Sequence, residues 1–355
     1  MGTSSTFSTS NTHVKYNITV NQNSQNVSNN CSNVSVYVRF WRDNSGYTTY
    51  GSGTCYCKIN GTTYSATVSP SQKITSSGIN LFSKTLDIYH NNDGTKTLTC
   101  SAWISMDTPL SSSEQSYSQT LSTIPRASNP SLSSSSVIMG DSITVYTNRA
   151  SSNFTHVLYY QIGSGGWNTI ATEIGTSKSW TVPLSLANST PNSTSLNVKL
   201  WLETYNGSTY IGLNSTSFTA NVPSNIVPTI NSVNLSEAVY EIYAQFGAYV
   251  QGKSKISGSI SANGSYSSTV KSYSISINGA SYTSSSFTTG FLTTSGNNTC
   301  SVTVKDSRGR TKSQNVTFNV KEYASPAINS FSVSRCNQDG TANDEGNCAK
   351  CVVSS

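Results

Sequence analysis

Charged side chains are scarce in this sequence. Asp, Glu, Lys and Arg make up 10% of its 355 residues, and the 21 basic residues are scattered without a Lys/Arg run. Because nucleic-acid binding depends on cations clustered on one face or along one helix, this distribution argues against a DNA or RNA partner. The formal net charge of +6 describes a weakly basic surface.

Long hydrophobic runs are also absent. No stretch approaches the roughly 18 apolar residues of a membrane-spanning helix, so we expect no membrane insertion. Residues 1–10 are polar and lack the basic and apolar segments of a secretory signal, which favours folding in a reducing cytosol with free cysteines. Cys348 and Cys351 have zinc-ligand spacing, but a structural zinc site needs four ligands and only Cys336 is near. We therefore expect no metal.

Catalytic signatures are missing too. The three histidines, His13, His90 and His156, lie in no motif that would pair them with a nucleophile, and we expect them to be exposed or half-buried. The 15 acidic residues fall mostly on predicted turns. There is no P-loop, GxGxxG or HExxH sequence. The sequence predicts a protein without enzymatic activity, catalytic residues or cofactor.

What the sequence does contain is alternation of apolar and polar residues. Val34, Val36, Val38 and Phe40 would share one face of a strand, and no segment shows helical periodicity. Asn60-Gly61 predicts a turn inside the strand-like run from Cys55 to Thr67, because both residue types tolerate positive φ. These patterns predict an all-β protein.

A second turn signal, Asp93-Gly94, predicts a hairpin between two further strands. One of these strands contains Leu86 and Ile88, and the other runs from Leu98 to Ile104. The residues up to 126 should therefore form an antiparallel sandwich of the jelly-roll or lectin-like kind.

A proline-containing segment repeats along the chain. Pro125 and Pro130 are followed 98 residues later by Pro223 and Pro228, and Pro326 lies another 98 residues on. This period predicts an N-terminal β-sandwich, two immunoglobulin-like sandwiches, and the start of a further, incomplete β domain. The predicted ranges are 1–126, 127–222, 223–325 and 326–355.

The immunoglobulin-like prediction rests on several short alternating segments in each repeat. In the first repeat, Leu196, Val198, Leu200 and Leu202 alternate with polar or aromatic residues. In the second, residues 240–246 alternate in the same way and predict a strand. The Cys, Trp and Cys positions typical of antibody domains are absent.

Exposed aromatic residues are the candidates for a binding site. By alternation, Trp41 and Trp103 lie on the faces opposite the aliphatic ones, and rigid rings of this kind stack on the C–H surfaces of sugars. In the alternative, these rings pack against the second sheet or a neighbouring subunit. The candidate glycan-binding residues are Tyr37, Arg39, Trp41, Tyr47, Tyr50 and Trp103.

Several strings resemble a known family. Tyr89-His90-Asn91-Asn92-Asp93-Gly94-Thr95-Lys96 and Thr123-Ile124-Pro125-Arg126-Ala127-Ser128 are similar to the N-terminal domain of distal tail or baseplate structural proteins from siphophages of Gram-positive bacteria, particularly streptococci. Asp306-Ser307-Arg308-Gly309-Arg310 and the stretch from Arg335 to Gly346 resemble later segments of the same poorly characterised family. The resemblance touches most of the chain.

The resemblance implies a non-enzymatic virion protein of the phage tail or tail fibre, assembled in the host cytoplasm and contributing to attachment to the host surface. Implied partners are other tail or baseplate proteins, host cell-wall polysaccharide as receptor, and further copies of the chain in a trimer. Two alternatives remain open: a purely structural virion or decoration protein without ligand, and a bacterial surface adhesin with immunoglobulin-like domains.

Overall fold

The computed structural model describes residues 1–46, 51–107 and 110–355. Within them the protein consists almost entirely of β-strands, which confirms the all-β class. The chain divides into two compact units. The first unit comprises residues 1–137, 141–182 and 197–220, and the second comprises residues 138–140, 183–196 and 221–355.

The first sandwich consists of two antiparallel sheets. Its strands are β1 (Gly2–Thr3), β2 (Phe7–Ser8), β3 (Val14–Asn26), β4 (Cys31–Arg42), β5 (Gly53–Ile59), β6 (Thr62–Val68), β7 (Ile79–Tyr89), β8 (Thr97–Met106) and β9 (Gln115–Thr120). One sheet has the order β1-β3-β4-β7, with β2 also paired to β3, and the other has the order β6-β5-β8-β9.

The core of this sandwich follows the predicted alternation. Val34, Val36, Val38 and Phe40 are fully buried on the inner face of β4. The Phe40 ring stacks on Tyr16 of the neighbouring β3, with ring centroids 5.0 Å apart. The opposite sheet contributes the alternating residues of β8 to the same core. The inward and outward faces of β4 were thus readable from the sequence.

The two predicted hairpin turns have different outcomes. Asn60 and Gly61 both adopt positive φ, and they join β5 to β6 as adjacent antiparallel strands. Asp93-Gly94 also forms a turn, but the hairpin prediction is wrong because β7 pairs with β4 whereas β8 pairs with β5 and β9. The segment carries the chain from one sheet to the other.

This crossing requires glycine at position 94. Gly94 has φ of +83°, and a Cβ atom there would collide with the carbonyl oxygen of Ile124. The Gly94 carbonyl accepts a hydrogen bond of 2.7 Å from Nδ1 of His90, which is itself buried. Positive φ serves several turn types, so the Asp-Gly pair indicates a turn without specifying which strands it connects.

The second sandwich contains two sheets of three and five strands. Its strands are β10 (Ser131–Leu132), β11 (Ser136–Ile138), β12 (Ser142–Tyr146), β13 (Phe154–Ile162), β14 (Asn168–Ile174), β15 (Ser177–Thr181), β16 (Ser195–Asn206) and β17 (Thr209–Asn221). The sheet orders are β10-β12-β15 and β11-β17-β16-β13-β14. Val198, Leu200 and Leu202 are fully buried, as their alternation predicted.

The third sandwich repeats this arrangement. Its strands are β18 (Thr229–Glu237), β19 (Tyr249–Val250), β20 (Ile256–Asn263), β21 (Val270–Ile277), β22 (Ala280–Tyr282), β23 (Ser286–Thr288), β24 (Gly296–Asp306) and β25 (Thr311–Lys321). The sheet orders β18-β20-β23 and β19-β25-β24-β21-β22 match those of the second sandwich strand for strand. A three-plus-five sandwich of this kind is immunoglobulin-like.

One element departs from the repeat. Residues 240–246, predicted as a strand, form a helix, α1 (Tyr240–Phe246), so that prediction is wrong. Ile242 and Phe246 are half-buried while Tyr240 and Tyr243 are exposed. The apolar residues of this segment also have helical spacings, because Tyr240 and Tyr243 are three residues apart and Ile242 and Phe246 are four residues apart. The same sequence therefore fits a helix as well as a strand. The helix ends at Gly247, which has left-handed φ of +58°.

Two further strands follow the third sandwich. β26 (Ser330–Cys336) pairs antiparallel with β27 (Cys348–Ser354). Phe331 and Val353 face each other in register, and both side chains are more than half exposed. This hairpin occupies the range predicted as the start of a further domain.

Candidate functional site

The outer face of β4 carries three of the candidate binding residues. Tyr37 and Trp41 are half-buried and Arg39 is exposed. They point away from the core because they alternate with the buried Val36, Val38 and Phe40 of the same strand. Tyr37, Arg39 and Trp41 therefore form one row on the sheet surface, which we call the sheet face.

The neighbouring strand β3 extends this row with polar side chains. Asn17 lies opposite Arg39 and Thr19 lies opposite Tyr37 in the antiparallel register. Two shallow hollows open here, of about 220 Å³ and about 320 Å³, and Asn17 and Arg39 line both of them. Trp41 borders the smaller hollow and Tyr37 the larger one. The sheet face thus combines aromatic rings, one cation and amides.

Two acceptors on this face lack partners. The Oδ1 atoms of Asn17 and Asn21 are buried and make no hydrogen bond to any described residue. A buried polar atom without a partner is unfavourable by about 1–3 kcal/mol, and native structures contain few of them. Both asparagines line the larger hollow, so their Oδ1 atoms would accept from hydroxyl or amide donors of a ligand once the side chains rotate toward it.

Trp103 belongs to a different surface. It lies on β8, in the sheet opposite β4, and its ring stacks on Tyr56 of β5 with centroids 5.0 Å apart and planes 10° apart. Both rings are half-buried on the outer side of their own sheet. The structure therefore does not bring Trp103 together with Trp41. Tyr47 and Tyr50 lie outside the described residues.

His90 and His156 serve as structural hydrogen-bonding groups. Both are buried, which corrects the expectation of exposed or half-buried rings. Nδ1 of His156 donates to the carbonyl of Ile174 at 2.9 Å, so its Nε2 accepts from the hydroxyl of Ser128 at 2.9 Å. His90 uses the same scheme with Gly94 and Ser32. Burial lowers the pKa of His156 from its ordinary value and holds the ring neutral.

Thiol chemistry is disfavoured in the first sandwich. Cys55, Cys57 and Cys100 are fully buried in its core as free thiols. Burial raises the pKa of Cys55 and of Cys100 to about 12. Since the thiolate is the nucleophile and metal ligand, these cysteines act as small apolar residues.

The structure also shows a groove that the sequence reasoning missed. It lies beside α1 in the third sandwich and has a volume of about 530 Å³. Its residues come from the end of β18, from α1, from the chain leading into β19 and from Asn319 of β25. We call it the helix groove. The signal available in the sequence was Tyr240 and Tyr243, three residues apart and hence on one face of a helix.

Glu237 and three tyrosines give the helix groove its chemistry. Tyr240 is 79% exposed and Tyr243 is 57% exposed. Tyr249 is half-buried. The pKa of its phenol is raised, mainly by burial and to a smaller extent by the charge of Glu237. Glu237 is the one carboxylate among the lining residues, and no lysine or arginine lines the groove.

The described residues contain neither a helix suited to crossing a membrane nor a cluster of three or more potential metal-ligating side chains. Across these residues, the arrangement consists of tandem, mainly antiparallel β-sandwiches with aromatic and polar surface features. The chain is therefore a tandem β-sandwich protein with immunoglobulin-like repeats.

Residues 5–343 match the family described as "Siphovirus protein of unknown function (DUF859)". The chain belongs to this family, which confirms the expected relationship to a poorly characterised family of siphophage proteins. No curated protein matches the chain.

Solved structures with similarity to this chain include repeat-containing proteins. One is the "tetra-tandem repeat in extending region of large adhesion protein", 14% identical, covering 87% of this chain and 75% of that chain, with a TM-score of 0.34. Another is chicken CNTN1 FN1-FN3, 10% identical, covering 84% of this chain and 97% of that chain, with a TM-score of 0.25.

Proposed function

We propose that this protein is a non-enzymatic tail or baseplate component of the virion that contributes to attachment to the host surface. The immunoglobulin-like sandwiches act as spacers, and the first sandwich acts as an anchor or binds cell-wall polysaccharide. Other tail or baseplate proteins and further copies of the chain, as a trimer, would be its assembly partners. Membership of the siphovirus family supports the virion setting.

One observation carries the binding part of this proposal. On the sheet face, the unpaired Oδ1 atoms of Asn17 and Asn21 lie beside Tyr37 and Arg39. Sugars present both apolar C–H surfaces and hydroxyl donors, so a saccharide can stack on the ring and donate to the two acceptors once the asparagine side chains rotate toward the hollow. Each contact is weak, and many copies on one virion would raise the effective affinity.

Binding of the full chain to host cells tests this proposal. The chain, clustered on beads, should bind cells of the Gram-positive host and extracted wall polysaccharide in a saturable way. Loss of one stacked ring corresponds to about a tenfold loss of affinity, so Trp41→Ala or Tyr37→Ala should weaken binding to this degree. Trp103→Ala is the matched control, because its ring lies on the opposite sheet.

Three outcomes would contradict the proposal. Absence of binding by the clustered chain would leave the alternative, a purely structural virion component without ligand. Unchanged binding by Trp41→Ala and Tyr37→Ala would remove the receptor from the sheet face. New reducing ends after incubation with host wall glycans would show a depolymerase and contradict the non-enzymatic assignment.

A further inference from the structure

Comparison of the second and third sandwiches shows which segment forms the helix groove. In the second sandwich, β10 and β11 are separated by three residues, whereas the corresponding β18 and β19 are separated by residues 238–248. The helix groove is built around this insertion. Because the remaining strands have the same order in both sandwiches, the insertion is unnecessary for completing the fold.

The insertion also adds little to the core. No residue of α1 is buried, although Phe246 contacts the ring of Tyr323 edge to face with centroids 6.4 Å apart. Tyr240 and Tyr243 instead remain largely in solvent. Large exposed aromatic rings on an inserted segment are more common in binding surfaces than in spacers.

Glu237 supplies a second, independent observation. Its Oε1 accepts hydrogen bonds from the backbone N–H groups of Val239 at 3.0 Å and Lys255 at 3.1 Å. Its Oε2 is buried and has no hydrogen-bond partner among the described residues. A buried carboxylate oxygen without a donor is strongly unfavourable, so a donor entering the groove would be stabilised there.

We propose that the helix groove is a binding site for a neutral saccharide, which stacks on Tyr240 and Tyr243 and donates a hydroxyl hydrogen bond to Oε2 of Glu237. Asn319 adds an amide to the same groove. The lining lacks a cation and contains one carboxylate, which disfavours phosphate-rich or acidic polymers. A hydroxyl reaches the buried Oε2 only if the wall of the groove moves.

This inference rests on the attachment function proposed above for its biological setting, and it adds a second contact point far along the sequence from the sheet face. Two weak sites on one chain increase avidity when both reach the same polymer. The site itself can be tested without host cells.

The test is saturation-transfer NMR on the full chain with soluble tetrasaccharides of β-linked glucose, β-linked N-acetylglucosamine and α-linked rhamnose. We expect saturation transfer from the protein to the ring C–H protons of at least one tetrasaccharide. The double variant Tyr240→Ala/Tyr243→Ala should lower affinity by about tenfold or more, because each lost ring contact is worth about 1 kcal/mol. Glu237→Gln should also weaken binding, because it replaces the acceptor Oε2 with an amide NH₂ group. The amide oxygen of the glutamine can still accept the hydrogen bonds from the backbone N–H groups of Val239 and Lys255.

Controls separate this site from the rest of the molecule. Tyr210→Ala removes a tyrosine that is 51% exposed on the second sandwich and should leave transfer unchanged. Absence of transfer from the wild-type chain to all three tetrasaccharides would overturn the proposal, as would equal transfer in the double variant. Tighter binding of a poly(glycerol phosphate) probe than of any neutral tetrasaccharide would overturn the assigned ligand class.

The same variants distinguish this inference from the attachment function. Transfer to a tetrasaccharide without any binding of clustered protein to host cells would contradict attachment and support the groove. Cell binding that survives in a double variant whose saccharide transfer is lost would support the groove as a saccharide site and assign attachment to another surface. Circular dichroism should show that each variant retains its β-structure.

Discussion

The first and third sandwiches differ in how their interiors are stabilised. In the part of the chain that the structure describes, the first encloses a cluster of 22 buried apolar residues, whereas the cluster in the third contains ten. Both are two-sheet sandwiches of similar strand number. Since burial of apolar area provides the main favourable contribution to folding, the third sandwich has the smaller hydrophobic stabilisation.

Buried hydrogen bonds are prominent in the third sandwich. Arg308 is 7% exposed, and its guanidinium donates to the carbonyls of Ser265 and Tyr266 in the third sandwich and to those of Ala187 and Thr190 in the segment between β15 and β16. In the same β-turn region, Oδ1 of Asp306 accepts from the backbone N–H of Arg310. A small core supplemented by such bonds depends on particular polar residues as well as on apolar volume.

The two regions also present different surfaces. The sheet face of the first sandwich is the outer side of regular strands and includes the cation Arg39. The helix groove of the third is formed by an insertion and contains the anion Glu237. Substitutions in the strand cores and in the hydrogen bonds of Arg308 should therefore change stability, whereas substitutions on the sheet face and in the helix groove should change binding.

The largest expected effect is that of Phe40→Ala. Phe40 is fully buried and stacked on Tyr16, so its truncation should lower the unfolding free energy of the first sandwich by about 4 kcal/mol. Phe318→Ala in the third sandwich should cost about 2 kcal/mol, because that ring is only half-buried. Calorimetry of the full chain, with a transition for each sandwich, measures both.

Arg39→Ala serves as the control for Phe40→Ala. It changes an exposed residue on the same strand and should alter stability by about 0.5 kcal/mol or less. Equal losses for Phe40→Ala and Phe318→Ala would contradict the contrast between the two cores.

Arg308→Met should have the next largest effect. The substitution keeps an apolar stem but leaves four carbonyls without their shared donor, which should lower the stability of the second compact unit, which contains the third sandwich, by about 3 kcal/mol. Lys305→Met, at an exposed position on β24, is the matched control and should have little effect. If both variants melt together with the wild type, the polar network does not stabilise this compact unit.

The contrast between packing and specific polar contacts also explains what the sequence could predict. Alternation identified the inner faces of β4, β8 and β16, because apolar side chains must point to a core. The family resemblance and the immunoglobulin-like repeats were likewise accessible, through turn strings and the 98-residue period. These features depend on local residue type and spacing.

Features that depend on distant partners were not predictable. The Asp93-Gly94 turn connects two sheets because β7 and β8 find different neighbours, and alternation does not encode the neighbour. Trp41 and Trp103 looked equivalent, yet they belong to opposite sheets for the same reason. The helix groove was missed because residues 240–246 combine the alternation of a strand with the i, i+3 and i, i+4 spacings of a helix.

Gly94→Ala should destabilise the first sandwich by about 2 kcal/mol more than Gly61→Ala does. Both glycines have similar positive φ, +83° and +88°, but the Cβ at position 94 would collide with the Ile124 backbone, whereas position 61 has open space. The strain of positive φ is therefore similar in the two variants, and the difference between them measures the collision of the new Cβ with the Ile124 backbone. Similar melting temperatures for the two variants in a thermal unfolding experiment would show that the crossing segment relaxes freely.

The smallest effect concerns the second sandwich and the pH dependence of its stability. Burial, with the nearby Arg149, lowers the pKa of His156 in the folded state, while the unfolded chain binds a proton near pH 6.5. Stabilisation by the neutral ring is therefore complete above pH 6.5 and is lost as pH falls below it, by at most about 1.4 kcal/mol per pH unit.

His156→Gln should reduce this slope. Glutamine cannot be protonated in this range, and it retains one donor and one acceptor for Ile174 and Ser128. Urea unfolding at pH 7.5 and pH 5.5, followed by fluorescence of the tryptophans, should show a smaller loss of stability on acidification in the variant than in the wild type. Equal losses would mean that protonation of His156 is not coupled to unfolding of the second sandwich, despite the burial of its ring.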